Sequence, residues 1–394
     1  MKRLLSVSVT GGSDSTGRIA ALSCRGAMEA GREVLLAYGR GSAPADVPSV
    51  SLVDRPGMLL HGMATRLADR HGLSSKAATF RLIDTIENFG PDVIHLHNIH
   101  GYYLHYPTLF EYLARTGVPT VWTLHDVWPM TGHCAFFKDC GGWLSGCRGR
   151  CPERAAYPAA LFSKSARNYD LKAKYFNLPG LNLHLVGVSE WITDIVKRSL
   201  LSQHPVSTIL NGVDTDIFHP LEGPSGQRIL LGVANGWEAR KGASDFARLA
   251  HELDPSWRIR MVGVPSAMRH RLPSRIETVP HISDAHLLAA EYARATVFAN
   301  LTYDDNCPLT ELEALSCGTP VVAYTSGGAP ECITPQCGRV VVPGADIPTL
   351  TQAIEEAATL SRTDCRSIAL KRYAVQTMQA AYLELYDRMV PRMR

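Results

Sequence analysis

The chain has 394 residues, of which 45% are hydrophobic, and a formal net charge of +3. Because chains longer than about 250–300 residues usually divide into domains, we expect two hydrophobic cores. The nearly balanced charge argues against a nucleic-acid partner, and the apolar runs are shorter than the roughly 20 residues that cross a bilayer.

The first element begins with basic residues followed by an apolar run that stops at Thr10-Gly11-Gly12. This pattern predicts a first β-strand rather than a signal peptide. We therefore expect a cytoplasmic protein whose ten cysteines lie in a reducing compartment.

Two series of β-rich runs alternate with helical stretches along the chain. Their positions are 4–9, 34–38, 93–96, 120–124 and 183–188, and then 229–233, 259–262, 296–299, 321–323 and 340–342. Strands separated by helices predict parallel sheets covered on both faces, here two doubly wound α/β domains. We place the domains at 1–205 and 206–372, followed at 373–394 by an amphipathic helix.

Polar groups follow three strands of the first domain. The glycine-rich turn after the first strand opens a helix at Gly17 and Arg18, where the backbone can approach a ligand and the helix start favours an anion. His95 and His97 end one strand and are expected to line a cleft, and His125 and Asp126 follow the next. Ligands of such folds bind beyond the carboxyl ends of the strands.

A cysteine-rich insert at 131–155 follows His125 and Asp126. Its spacing is Cys-x5-Cys-x6-Cys-x3-Cys, formed by Cys134, Cys140, Cys147 and Cys151. Four thiolates suit tetrahedral Zn²⁺, which can order a loop that lacks its own core. Reduced or disulfide-paired cysteines are the alternative interpretation.

Basic and aromatic residues surround this insert, and they indicate either a solvated loop or a face that meets an anionic membrane or a lipid diphosphate. They are Phe136, Phe137, Lys138, Trp143, Arg148, Arg150, Arg154, Lys164 and Arg167.

In the second domain, Arg240 and Lys241 follow a predicted strand, where a guanidinium fork and a mobile ammonium group would clamp a diphosphate. A helix is predicted to begin after Pro308, and its first amides, near Leu309 and Thr310, would bind the same diphosphate. Asp305, just before the helix, would hold sugar hydroxyls, and Glu313, on its second turn, would hold a ribose.

The segment from Asp305 to Glu331 resembles the signature of retaining, metal-independent glycosyltransferases of family 4. That signature is a Glu, seven residues, a second Glu, and a Gly-Gly-x-Pro-Glu turn. Asp305 replaces the first Glu, as in colanic-acid-type members that build polysaccharides. The segments 11–20, 211–214 and 237–242 are also similar to motifs of this family, although Gly236 stands where commoner members place the basic-loop Arg.

The resemblance implies a GT-B fold, in which two Rossmann-like domains face a cleft and the last helix crosses back to the first domain. It also implies that a sugar moves from a nucleoside-diphosphate donor to a hydroxyl of a glycan or lipid-linked acceptor with retention of configuration, in exopolysaccharide biosynthesis. His125 would contact the donor sugar beside the anomeric carbon.

The candidate catalytic residues are thus His125, Asp126 and Asp305. The candidate donor-binding residues are Gly17, Arg18, Arg240, Lys241, Leu309, Thr310 and Glu313. Basic groups and a helix dipole neutralise the diphosphate, so no cofactor is expected in catalysis. The alternatives are a catalytically degenerate nucleotide-sugar-binding protein and an epimerising or phosphorolytic enzyme on the same fold.

Overall fold

The structure is a computed structural model that describes residues 1–12, 14–138, 140–221 and 226–390. It divides into two compact units: Met1–Leu210 together with the chain from Met378 onward, and Asn211–Thr377. The predicted boundary at residues 205 and 206 lies slightly earlier in the chain. The first unit extends further because Val206–Thr208 forms a strand that pairs with Leu183–Gly187.

The first unit alternates strands and helices in the predicted manner. Its strands are β1 (Arg3–Thr10), β2 (Glu33–Arg40), β3 (Ser49–Ser51), β4 (Val93–Leu96), β5 (Thr120–Leu124), β6 (Leu183–Gly187) and β7 (Val206–Thr208). Its helices are α1 (Ser15–Glu29), α2 (Arg55–Ala68), α3 (Lys76–Phe89), α4 (Tyr106–Thr116), α5 (Ser165–Tyr175) and α6 (Glu190–Arg198). Short 3-10 turns lie at Trp128–Met130, just before the cysteine-rich insert, and at Gly141–Ser145 and Pro152–Ala155 within it.

The described strands of this unit form one parallel sheet in the order β3-β2-β1-β4-β5-β6-β7. The order reverses between β1 and β4, which pair in parallel. In doubly wound sheets the ligand crevice lies at this switch point, outside the carboxyl ends of the strands. The turn after β1 and the polar residues after β4 and β5 lie at that edge.

The second unit repeats this architecture. Its strands are β8 (Arg228–Val233), β9 (Trp257–Val262), β10 (Ile276–Val279), β11 (Val297–Asn300), β12 (Val321–Tyr324) and β13 (Gly338–Val341). Its helices are α7 (Ala243–Glu252), α8 (Ser266–Arg269), α9 (Ala285–Arg294), α10 (Leu309–Ser316), α11 (Ile347–Ala357) and α12 (Arg362–Arg372). In the described residues the parallel sheet runs β10-β9-β8-β11-β12-β13, so the switch point lies between β8 and β11. The prediction of two doubly wound α/β domains is confirmed.

The last helix, α13 (Val375–Met389), packs on the first unit. The Tyr382 hydroxyl lies 2.9 Å from Thr123 Oγ1, and the Tyr386 hydroxyl lies 2.6 Å from His95 Nδ1. Gln379 Nε2 donates to the Leu22 carbonyl at 2.8 Å. The expected return of this helix to the first domain is therefore confirmed, and residues 391–394 of the predicted segment lie outside the described residues.

Among the residues that the structure describes, none of the helices is both long enough and apolar enough to cross a membrane.

Candidate active site

The basic loop of the second unit contacts the loop that precedes α10. Lys241 Nζ lies 2.7 Å from Asp305 Oδ2, and both side chains keep about a fifth of their surface exposed. Arg240 Nη1 donates to the Asp304 carbonyl at 3.1 Å, and the Tyr303 amide donates to the Arg240 carbonyl at 2.8 Å. The two segments follow β8 and β11, so the fold brings the predicted clamp residues together at the switch point.

Asp305 is held as a carboxylate. Burial by itself would raise its pKa, but the charge and hydrogen bond of Lys241 outweigh that effect and hold the pKa below its ordinary value. The Asp305 carbonyl accepts from the Gly328 amide at 3.0 Å. A side chain on Gly327, at a φ of +59°, would collide with the same carbonyl, so the Gly-Gly turn is needed for this close approach.

Asn211 holds the same loop from another side. Its buried side-chain amide donates to the Cys307 carbonyl at 3.0 Å. The segment 211–214, which resembles a family motif, therefore has a structural role in the second unit, because Asn211 holds the loop that precedes α10.

The helix α10 begins at Leu309, as the sequence predicts. Pro308 occupies the N-cap position and, in the described part of the chain, no side chain caps the helix. The amides of Leu309 and Thr310 have no carbonyl partner within the helix, since the first turn of any α-helix lacks one. Such an end attracts anions, and Lys241 adds charge nearby.

Glu313 is almost completely buried, with 1% of its surface exposed. Its Oε2 accepts from the Tyr292 hydroxyl at 2.9 Å, which joins α10 to α9. This conformation offers little of the carboxylate to solvent. Binding of a ribose by Glu313 stays a prediction.

Glu311 is a buried acid that the sequence analysis did not predict. Its Oε1 accepts from Asn300 Nδ2 at 2.6 Å, whereas its Oε2 has no hydrogen-bond partner among the described residues. Burial raises the pKa of this carboxyl well above its ordinary value. The charge of Asp305 adds to this increase in pKa. Only the placement of Asn300 at the end of β11 could have indicated the pairing.

In the first unit, the turn after β1 is closed by its own residues. Asp14 Oδ1 accepts from the Gly17 amide at 2.9 Å and from Thr10 Oγ1 at 2.6 Å. A side chain on Gly17 would collide with Thr10, so glycine is required there for packing. In this conformation the Gly17 amide is already satisfied, while Arg18 lies half-buried on the first turn of α1.

Asp126 is fixed by three donors at the carboxyl edge of the first sheet. His100 Nε2 and Asn98 Nδ2 lie 2.9 Å and 3.2 Å from its Oδ2, and the Trp128 amide donates to its Oδ1 at 2.9 Å. Burial alone would raise the pKa of Asp126, but His100, the Trp128 amide and His125 together lower it. Neither His100 nor Asn98 was predicted, although both follow β4 within the polar segment at its end.

His125 is partly buried and neutral at physiological pH. Its Nε2 lies 3.0 Å from Nδ1 of His97, and the two rings stack with centroids 5.3 Å apart. Burial lowers the pKa of His125 to about 4, although Asp126 and Asp14 oppose this effect. The imidazole is thus suited to hydrogen bonding with a sugar hydroxyl rather than to carrying charge.

His95 does not line a cleft, contrary to the prediction from the sequence. Its side chain is wholly buried, and its two ring nitrogens contact Thr123 and Tyr386. His97 is equally buried, and its Nδ1 contacts His125. His95 is therefore part of the packing of α13 on the first sheet.

The four cysteines of the insert, Cys134, Cys140, Cys147 and Cys151, line one cavity of about 40 Å³. All ten cysteines are free thiols, and the described residues contain no close group of three or more potential metal ligands. Burial raises the pKa of Cys134 to about 12 and that of Cys151 to about 11.

The aromatic residues of the insert turn inward rather than forming an exposed face. Phe137 stacks on Trp143 with ring centroids 5.8 Å apart, and Trp143 is buried. Arg148 is paired with Asp170 at 2.7 Å. Of the two interpretations given for these residues, the basic-aromatic face is therefore contradicted in its aromatic part, because these rings extend the core of the first unit.

The geometry of the second unit allows one kind of chemistry above others. Two cationic side chains and the uncapped start of α10 lie at one sheet edge, which suits a ligand with two adjacent phosphates. The carboxylate of Asp305 is directly beside this position. An anion and neighbouring hydroxyls can thus be held together.

Two family models match the chain. The model described as Glycosyltransferase Family 4 matches residues 17–217, and the model described as Glycosyl transferases group 1 matches residues 227–359. The chain is 27% identical to the putative colanic acid biosynthesis glycosyl transferase WcaC of Escherichia coli, over 92% of this chain and 93% of that protein. It is 28% identical to the MMP alpha-(1->4)-mannosyltransferase of Mycolicibacterium hassiacum, over 51% of this chain and 52% of that protein.

Solved structures share the fold. Sucrose-phosphate synthase from Thermosynechococcus elongatus aligns with a TM-score of 0.73 at 16% identity, covering 99% of each chain. HepE of Anabaena, solved in complex with UDP-glucose, aligns with a TM-score of 0.66 at 16% identity, covering 98% of this chain and all of that one.

Proposed function

The chain belongs to glycosyltransferase family 4, and from this premise we propose that it transfers a sugar from a nucleoside diphosphate to a hydroxyl group, with retention of anomeric configuration. The observation that carries the proposal is the convergence of Lys241, Asp305 and the start of α10 at the switch point of the second sheet. Exopolysaccharide assembly is the proposed process, since a relative that aligns over 92% of the chain is named for colanic acid biosynthesis.

The donor is proposed to be a nucleotide sugar. Lys241, Arg240 and the amides of Leu309 and Thr310 would hold its diphosphate, and Glu313 would hold its ribose. UDP-glucose is the ligand in the HepE complex, which supports a donor of this class for the present chain. Asp305, kept ionised by Lys241, would accept hydrogen bonds from hydroxyls of the transferred sugar.

Loss of the diphosphate leaves an oxocarbenium-like sugar, so the main catalytic task is to stabilise negative charge on the leaving group. Lys241, Arg240 and the α10 amides would perform that task without a divalent ion. An Asp-x-Asp triplet does occur at 214–216, but Asp214 Oδ1 accepts from the amides of Asp216 and Ile217 and so closes a turn. Activity should survive a brief EDTA treatment. If EDTA abolished activity and only Mg²⁺ or Mn²⁺ restored it, metal independence would be refuted.

Retention of configuration is proposed to proceed by front-face displacement, in which the departing phosphate assists removal of the acceptor proton. Asp126 has a lowered pKa and three donors, so it is better suited to orient an acceptor hydroxyl than to take up its proton. The acceptor is proposed to be a glycan or a lipid-diphosphate-linked saccharide. A cytoplasmic enzyme that works at the inner face of a membrane fits such an acceptor.

The cysteine insert is proposed to bind one structural Zn²⁺. Cys134, Cys140, Cys147 and Cys151 all line one small cavity, which supports this assignment. The thiols would have to move closer together to coordinate the ion, because the described residues contain no close group of three potential ligands. The high thiol pKa values mean that binding would release protons and grow stronger as pH rises. Metal analysis of protein purified without an affinity tag should find about one equivalent of zinc. If the protein is ordered and active without bound metal, the zinc site is refuted and the cysteines are reduced thiols.

The proposed activity is tested by incubating the protein with a panel of nucleotide sugars and measuring release of the nucleoside diphosphate. Slow hydrolysis of one donor, accelerated by a saccharide acceptor, is the expected result. Tight binding of a donor with no turnover under any acceptor condition would instead support the degenerate binding protein.

A further inference from the structure

Helix α2 has its polar side buried and its apolar side exposed. His61 and Thr65 are its buried residues. His61 is held there by Ser75 Oγ at 2.9 Å and by the Gly72 amide at 3.0 Å. A surface helix normally buries its apolar stripe, so the orientation of α2 is the reverse of the usual one.

The exposed side of α2 carries Leu59, Leu60, Met63 and Leu67, each between 51% and 68% exposed. At 100° per residue these positions fall within one stripe about 100° wide. Monomeric proteins scatter single apolar residues over their surfaces, but they seldom gather several large ones on one helix face.

The segment that follows the cysteine insert extends this stripe. The Leu161 amide donates to the Arg66 carbonyl at 2.7 Å, and the Lys164 amide donates to Asp69 Oδ2 at 2.7 Å. Phe162, between these two anchors, is 69% exposed. We call Leu59, Leu60, Met63, Leu67, Leu161 and Phe162 the α2 patch.

The charged residues on α2 and shortly after Phe162 are basic. Arg55 and Arg66 are exposed and lie three helical turns apart along one edge of the stripe, and Lys164 follows Phe162. The sequence of α2 contains no Asp or Glu. The carboxylates at its two ends are engaged: Asp54 accepts from the Gly57 amide, and Asp69 accepts from the Lys164 amide and contacts His133.

We propose that the α2 patch docks on an anionic lipid surface, with the leucines in the interfacial layer and the arginines on lipid phosphates. A helix with an apolar face bordered by basic residues is suited to this position. A second copy of the chain is disfavoured as the occupant, because it would bring arginines against arginines with no carboxylate between them. Docking rests on the proposed function, since a lipid-linked acceptor is presented at such a surface. Binding to the lipid surface itself requires neither the donor nor the acceptor.

The test is co-sedimentation of the full chain with vesicles of phosphatidylglycerol and phosphatidylcholine, compared with phosphatidylcholine alone. We expect preferential binding to the anionic vesicles that weakens as salt is added. The Leu60→Gln/Leu67→Gln variant should bind about 100-fold more weakly, at roughly tenfold per leucine withdrawn from the interface. Arg55→Gln/Arg66→Gln should lose about 25-fold, at roughly fivefold per arginine.

The matched control is Leu287→Gln/Leu370→Gln, which changes two exposed leucines of the second unit, 62% and 46% exposed. It should bind vesicles like the wild type, and circular dichroism should be unchanged in every variant. The proposal would be overturned if the wild type bound both vesicle types equally, or if the α2 variants bound anionic vesicles as well as the wild type does. It would also be overturned if the wild type formed a dimer that Leu60→Gln/Leu67→Gln abolishes. Vesicle binding without any sugar transfer would refute the proposed function and leave the docking surface in place.

Discussion

Replacing Lys241 with alanine removes one of the two cations proposed to hold the diphosphate. A charge-assisted hydrogen bond contributes about 1.5–3 kcal/mol. Since about 1.4 kcal/mol corresponds to a factor of ten in rate, kcat/KM for the donor should fall roughly 10- to 150-fold. The loss should appear in kcat at saturating donor, because charge on the leaving phosphate is greatest in the transition state.

The same change also affects Asp305. Lys241 Nζ lies 2.7 Å from its carboxylate and offsets the effect of burial on its pKa. Without the cation, that pKa should rise, so part of the lost activity should return as the pH increases. Asp305→Asn in the Lys241→Ala background should cost less than in the wild type, because residues in contact are not additive.

The assay is steady-state release of nucleoside diphosphate, with thermal unfolding as the check on folding. Lys197→Ala is the matched control: Lys197 also pairs with a carboxylate, Asp194, at 3.0 Å, but it is exposed and lies in the first unit. Its loss should leave donor kinetics unchanged. A folded Lys241→Ala protein with kcat/KM within twofold of the wild type would remove Lys241 from the mechanism.

Three further predictions concern other residues. Glu313→Gln should weaken binding of the free nucleoside diphosphate about tenfold in calorimetry with little change in kcat, since ribose contacts act in ground and transition states alike; unaltered affinity contradicts the ribose assignment. His125→Ala should slow transfer yet leave the product anomer, read by NMR, the same as that of the donor, and an inverted linkage would make His125 or Asp126 a general base. The folded chain should lose stability as pH falls from about 6.5 toward 4, because burial lowers the pKa values of His61 and His125 to about 4 and the unfolded chain then binds more protons. Each pKa unit is worth about 1.4 kcal/mol, and a flat pH profile of thermal unfolding would contradict this.

The alternation of apolar runs and helical stretches was sufficient to predict both sheets. The long buried strands, such as β1, β5 and β8, were located because a parallel strand covered on both faces is a continuous apolar run. The strands β3, β7 and β10 were missed. They lie at sheet edges, where a strand is short and carries polar residues such as Ser49 and Glu277, so it has no apolar run to recognise.

The sequence by itself also determined which residues follow the strands at each switch point, and thus that Lys241 and Asp305 belong to one region of the second unit. It did not determine their partners. Each of these contacts joins two different elements, and only the packed fold sets the distances. They are the pairs Glu311 with Asn300, Glu313 with Tyr292, and Asp126 with His100.

The orientation of α2 was likewise decided by tertiary structure. Its leucines have the spacing of a helix that faces a core, but His61 has hydrogen-bond partners on the inner side, and a buried polar group without partners is costly. His95 shows the reverse case, where a polar strand end is covered because α13 returns from the far end of the chain to contact it. Local pattern therefore determined the elements and their order, while burial and pairing depended on contacts between residues distant in sequence.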